Sequence, residues 1–430
     1  MTMLATLSAT FFALTLLSAP IAISMGISAL VVVAIWGTPG VLLAQKLVNG
    51  IDSFPLLAIP FFILSAAIMN SGGVTTRVID LFASALGRVR GSSGIVNVGT
   101  NVFLSGISGS AVADAAASGA LLIPEMKKEG YSGAFAAAFT AGAAVLGPII
   151  PPSIPLVIYG VIAQVSVMKL FLGAYIPGFI IAAALMVYVS YVAKRQKLAA
   201  RGRASWPEIG RKFRVSVWAL SMPLLLALGA KGGLFTVTEL GAVLVVYALF
   251  IGWVIHREFQ WRQFPGMLTD AALQTANIML IVGVSSFIAY LIVINGIPRD
   301  IQAHLKAAEL GPTGFMLLVN VVFLVAGIFL DSTPVTIILV PIFLTSAIGY
   351  GIDPVHFGLV VVLNLMIGLI HPPIGLNLLI TQSISRAPMS EVVRESLPII
   401  AIIAIILAVL MLITFVPATV LWLPNALGIP

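Results

Sequence analysis

The chain has 430 residues, 60% of them hydrophobic and 9% charged, with a mean hydropathy of +1.14 and a formal net charge of +7. A soluble domain carries about 25% charged residues, so this composition excludes one and defines an all-α polytopic membrane protein. Cysteine is absent, which excludes disulfides and thiolate metal sites, and His256, His304, His356 and His371 lack metal-ligand spacing.

In chain order, residues 3–20 and 23–36 read as two apolar spans, the second short. No basic residue precedes the first, which argues against a cleaved signal peptide. Residues 37–50 are mildly amphipathic, with Val41, Leu42 and Leu47 set against Gln45 and Lys46, and fit an interfacial helix. A span over 55–69 ends in the turn at 70–73, and a surface helix over 75–90 carries Arg77, Asp80, Arg88 and Arg90.

The stretch 105–131, SGISGSAVADAAASGALLIPEMKKEGY, stands apart: glycine and serine crowd its start, and Asp114 is a lone carboxylate in an apolar run. From Val96 to Pro124 there are about 29 residues, enough for two short helices but not for two spans of roughly 20. A polar turn in that setting costs several kcal/mol per unpaired backbone group at a lipid surface, and so fits a re-entrant hairpin buried in protein. Next, 134–165 is an apolar run broken by GPIIPPS, where a double proline removes two donors and unwinds the span at its middle. A span over 171–192 closes this half.

Eight of the 22 basic residues then fall in one loop: Lys194, Arg195, Lys197, Arg201, Arg203, Arg211, Lys212 and Arg214, opposed only by Glu208. This is the positive-inside signature of a cytoplasmic loop. Spans follow over 215–228, 234–255 and 273–294. After them come an apolar run over 313–344 with DSTP at its centre, a span over 356–381 broken by HPPIGLN, and a last span over 398–423.

These features recur in order. The Asn70 turn answers Asn295, the tip at Ser108 answers Asp331, Pro124 answers Pro341, and Pro151-Pro152 answers Pro372-Pro373, at offsets of about 217 to 225 residues. The chain therefore divides into a first repeat over 1–193, a cytoplasmic linker over 194–214 and a second repeat over 215–430. The hairpins cover about 91–124 and 311–345, and the broken helices about 131–166 and 354–385. With the basic loop inside, each half has five crossings plus one hairpin. The second copy is then inverted, the hairpins enter from opposite sides, and both termini lie outside.

At these residues the chain resembles the large membrane subunit of tripartite ATP-independent periplasmic (TRAP) transporters, the dicarboxylate and sialic-acid uptake family. The matching pieces are IPFFILSAAIMNSGG, GISGSAVADAAASGALLIPEMKKEGY, GPIIPPSIP, GIFLDSTP and GIDPVHFGLVVVLNLMIGLIHPPIGLNLL, spread over nearly the whole length. The resemblance implies a sodium-driven elevator in the bacterial inner membrane, with hairpins and broken helices forming a mobile domain against a scaffold. It also implies a small four-helix membrane subunit and a soluble periplasmic substrate-binding protein. The chain departs from the family pattern at His371, where threonine is commoner.

The candidate sodium-handling residues are Ser108, Gly109, Ser110, Asp114, Pro151, Ser153, Asp331, Ser332, Thr333, Pro372 and Gly375. The candidate substrate contacts are Ser105, Ser108, Ser110, Asp114, Ser153, Asp331, Thr336 and Asn377. A carboxylate at a helix centre costs about 2.5–3.5 kcal/mol, which small-residue packing alone does not account for. Ser153 and Asp331 read equally as helix N-caps, and Asn97 and Asn101 as groups that satisfy hairpin backbone. Trp206, Trp253, Trp261 and Trp422 read as interfacial anchors. Two other readings are open. Gly106-Ile-Ser108-Gly109 has the GxSG form of rhomboid intramembrane proteases, with His371 as the paired base; alternatively, a related carboxylate carrier works as a homodimer without a binding protein.

Overall fold

The computed structural model describes residues 3–17, 19–37, 39–200, 202, 204–231, 235–307, 309–372, 374–394 and 396–429. Among them there is helix and no strand. Helices α1 (Met3–Leu16), α2 (Ile21–Trp36), α3 (Gly40–Ile51), α4 (Ala58–Ser71) and α5 (Val74–Leu86) come first. Helices α6 (Ser92–Ser108) and α7 (Ala111–Glu129) then form a pair joined through Gly109 and Ser110. The next two, α8 (Gly133–Ala144) and α9 (Ile154–Ala163), are halves of one helix interrupted over 145–153, and α10 (Val167–Arg195) follows.

Helices α11 (Trp206–Lys231), α12 (Val237–Leu249, continued by a π-helical turn Phe250–Ile255), α13 (Phe264–Ile294) and α14 (Ile297–Ala307) precede a second pair, α15 (Pro312–Phe329) and α16 (Ser332–Gly349). A second interrupted helix, α17 (Pro354–Gly368) and α18 (Leu376–Ser385), leads to α19 (Met389–Arg394), α20 (Ser396–Phe415) and α21 (Ala418–Ala426). The halves interlock: α18 packs on α7 and α8, and α16 packs on α9. Among the described residues six helices are long and apolar enough to cross a membrane, or seven if the bent α20–α21 pair is one span.

Several boundaries differ from the sequence reading. The stretch 194–214 is not all loop, because α11 starts at Trp206. Glu208 in its first turn complements the helix dipole and pairs with Lys212 one turn on at 3.2 Å. Arg201 and Arg203 lie outside the described residues. Helix α13 begins nine residues earlier than expected, with Pro265 in its first turn, where a missing N–H costs nothing. Neither Pro124 nor Pro341 ends its helix; both lie inside, so the arms of the first pair reach 17 and 19 residues. At about 1.5 Å per residue each arm is roughly 26–28 Å long, close to the thickness of the hydrocarbon core. Burial, rather than shortness, distinguishes this pair: α6 is buried on nearly every side.

The base of the first pair is tied by a buried carboxylate. Glu129, at the end of α7, accepts from the Ser93 amide at 3.0 Å and from the hydroxyls of Ser93 and Ser92 at 2.6 and 3.2 Å, capping α6. Tyr131 donates to Gly91 O at 2.9 Å beside it.

The last span, expected to be continuous, bends by 64° between α20 and α21. Val416 N–H still reaches Leu412 O at 2.9 Å, but Pro417 has no N–H for the next carbonyl, Ile413 O. His356, buried near the start of α17, donates Nε2–H to that oxygen at 2.7 Å.

Candidate functional site

The first tip is built by its local conformation. Gly109 closes α6 in the left-handed region (φ 62°), and Ser110 then caps α7, accepting from Ala113 N at 3.4 Å. A Cβ on Gly109 would lie 2.6 Å from Pro152 O, so only glycine lets the tip lie against the interrupted helix.

That helix is open there because Pro151 and Pro152, joined by a cis bond, bring no N–H to the carbonyls one turn back. Ser153 answers one of the two deficits. Its hydroxyl donates to Pro148 O and also accepts from Leu156 N at 3.3 Å, capping α9.

Asp114 sits one turn into α7 and is 1% exposed. Its Oδ1 accepts from the Ser108 hydroxyl, which in turn accepts from Ser110 N at 3.2 Å. Its Oδ2 has no hydrogen-bond partner among the described residues. Gly147, at the broken end of α8, faces that oxygen, and a side chain there would collide with it. A buried carboxylate oxygen thus lies against the broken end of α8, in the first turn of α7 at the positive end of its dipole.

A polar seam leads away from the carboxylate between α6, α7 and α8. Ser118 donates to Asp114 O at 2.6 Å and lies 3.3 Å from Asn101 Oδ1. Asn101 donates to Asn97 Oδ1 at 2.8 Å, and Asn97 donates to Thr140 Oγ1 at 2.6 Å. Asn377 on α18 joins from the other half, donating to Ala141 O at 3.3 Å, while its own Oδ1 has no hydrogen-bond partner among the described residues.

The structure therefore brings Ser108, Gly109, Ser110, Asp114 and Ser153 to the junction around the Pro151-Pro152 bond. Ser105 is turned away, its hydroxyl donating to Val102 O at 2.6 Å within its own helix. In the second half Asp331 is the N-cap of α16, accepting from Thr333 N at 2.9 Å, and Thr336 donates back to Ser332 O at 2.7 Å. Pro372 is half-buried and Gly375 takes φ 47° before α18, while Pro373 lies outside the described residues. His371 Nδ1 lies 2.5 Å from Pro372 O and Ser108 donates to Asp114, so each partner of the suggested protease dyad is engaged elsewhere.

The sequence reading missed Gly147, Ser118 and Thr140. Gly147 was the findable one, since a glycine opening GPIIPPS marks close approach at a break. Ser118 and Thr140 carry no local signal.

A membrane-spanning helical body with a buried acid at a helix break is the build of a membrane transport protein, and comparison with known proteins makes the class specific. Residues 8–419 match the model of the tripartite ATP-independent periplasmic transporter, DctM component, and the chain belongs to that family. It is 36% identical over 406 residues to the C4-dicarboxylate TRAP transporter large permease protein DctM of Pseudomonas aeruginosa, covering 94% of each chain. It is 38% identical over 372 residues to the 2,3-diketo-L-gulonate TRAP transporter large permease protein YiaN of Escherichia coli, covering 86% of this chain and 88% of that one. Among solved structures, the Alcanivorax borkumensis YdaH transporter matches with a TM-score of 0.61 over 87% of each chain at 15% identity, a likeness of fold.

Proposed function

We propose that this chain is the large permease subunit of a sodium-coupled importer of a carboxylate-bearing solute, fed by a periplasmic binding protein and completed by a small membrane subunit. The observation that carries this reading is the buried Asp114 carboxylate, whose second oxygen has no hydrogen-bond partner among the described residues and lies against Gly147 at the break of the interrupted helix. Sodium needs several hard oxygen donors, and unwound backbone beside a half-helix end is where transporters supply them. Ser108, Gly109, Ser110, Asp114, Pro151 and Ser153 are the candidate holders of one ion. Asp331, Ser332, Thr333, Pro372 and Gly375 are the candidates in the second half. The anionic solute would lie between the tips, facing the capped N-terminal ends of α9 and α16, with Thr336 and Asn377 nearby.

In this reading the two pairs are re-entrant, enter from opposite sides of the bacterial inner membrane with both termini periplasmic, and move with the interrupted helices as an elevator. Each net positive charge carried inward gains about 2.3 kcal/mol per 100 mV, so excess sodium makes uptake electrogenic. The test is sodium-dependent thermal stabilisation of the purified chain, with choline as the control cation, because a ligand that binds only the folded state raises its melting temperature. Wild type should be stabilised by sodium and Asp114→Asn clearly less so, keeping only what the second half contributes. Equal responses in the two proteins would remove Asp114 from the site, and no response in wild type would remove the site itself.

A further inference from the structure

An apolar cavity of about 280 Å³ lies away from this junction. Helices α1, α2 and α13 wall it on one side, and the second tip with α16 on the other. Leu7, Phe11, Met25, Ile288, Leu330 and Ile338 form most of its surface. Two serines also line it. Ser28 gives its hydroxyl to Ser24 O at 2.6 Å within α2, and Ser8 lies at the exposed edge. The interior is therefore without a free polar group to hold water or an anion, and a dry apolar cavity of roughly 150 Å³ already takes up benzene. The rim includes Phe12, which is 52% exposed on the outer surface of the helical body. In a membrane protein that surface faces hydrocarbon.

We infer that this cavity is a binding site for one hydrocarbon chain of a membrane lipid. Its lining selects against the transported solute, which needs donors for its carboxylate. An extended, flexible alkyl chain needs no donor, suits this apolar lining, and enters past Phe12. Bound there, it lies directly behind Leu330 and Pro334, against the second tip.

The test is photolabelling of the full chain in phosphatidylethanolamine–phosphatidylglycerol vesicles doped with a phospholipid that carries a diazirine near its acyl terminus. Adducts are expected on peptides containing Phe11, Met25 and Ile338, in addition to those on the outer face of α15 at Val321 and Val325, which are 60% and 50% exposed. Ser28→Phe and, independently, Ile288→Phe fill the cavity and should abolish the first group while leaving the second. Adducts confined to Val321 and Val325 in wild type would overturn the site, as would interior adducts that persist in both variants. If neither variant folds, the wild-type pattern alone decides. A photo-crosslinker placed at position 338 in cells should capture lipid, and capture of a protein would equally overturn it.

Discussion

The two helix tips share a place in the chain order but not a chemistry. In the first, Ser110 caps α7, so the acid one turn later is free of that duty, and one of its oxygens faces the break in the neighbouring helix. In the second, the acid is itself the cap: Asp331 holds Thr333 N and starts α16, and the tip borders an apolar cavity. A shift of a few residues relative to the helix start decides whether a carboxylate is structural or available. Of these two turns, one is followed by a buried acid whose second oxygen has no hydrogen-bond partner among the described residues.

The sharpest way to break this contrast is Gly147→Ala. A methyl group there drives into Asp114 Oδ2, and overpacking of this kind costs about 1–3 kcal/mol. The expected result is a lowered melting temperature together with a reduced sodium-dependent stabilisation. Adding Asp114→Ala should restore much of the melting temperature but not the sodium response.

Ser153→Ala comes next. It strips a hydroxyl from a buried carbonyl and a cap from α9, for an expected loss of about 1–3 kcal/mol in denaturant titration of the purified chain. Asp331→Ala should cost about 0.5–2 kcal/mol as a lost cap, whereas Asp331→Asn, still a good cap, should be nearly neutral. A large loss in Asp331→Asn with its fold intact would put the second acid on the same footing as the first.

The smallest effect is expected at the surface, where Arg77 meets Glu258 with paired contacts of 2.9 and 2.5 Å. The hydrogen bonds from Arg77 hold the Glu258 carboxyl below its ordinary value of 4.5. A depressed carboxyl contributes stability that is complete above that ordinary value and is lost as pH falls through the folded one. The melting-temperature gap between wild type and Glu258→Gln should therefore be present at neutral pH and close on strong acidification. It should be small, because exposed pairs contribute only about 0–1 kcal/mol.

Much of this was legible in the sequence. Gly-Ser crowding gave the first tip at Gly109 and Ser110, the double proline gave the break at Pro151 and Pro152, and recurrence at a common offset gave the second set of elements. These signals are local, because each follows from what glycine or proline does to its own backbone. What escaped was relational. Pro124 looked like a helix end but sits inside a helix that runs on to Glu129. The availability of Asp114 depends on Gly147, 33 positions away. The Asn97–Thr140 contact crosses between helices, and neither residue announces the other.

The bend between α20 and α21 has a consequence for the buried histidine beside it. An oxygen orphaned by Pro417 can only receive a hydrogen, so the imidazole of His356 has to be the giver at Nε2 for as long as the bend persists. Phenylalanine would fill the same space with nothing to offer, and the angle should relax, whereas a glutamine amide could take over the duty. In a transporter, a histidine sealed from water invites assignment as a proton courier; this one is pinned in place, and acts as the rivet of an elbow.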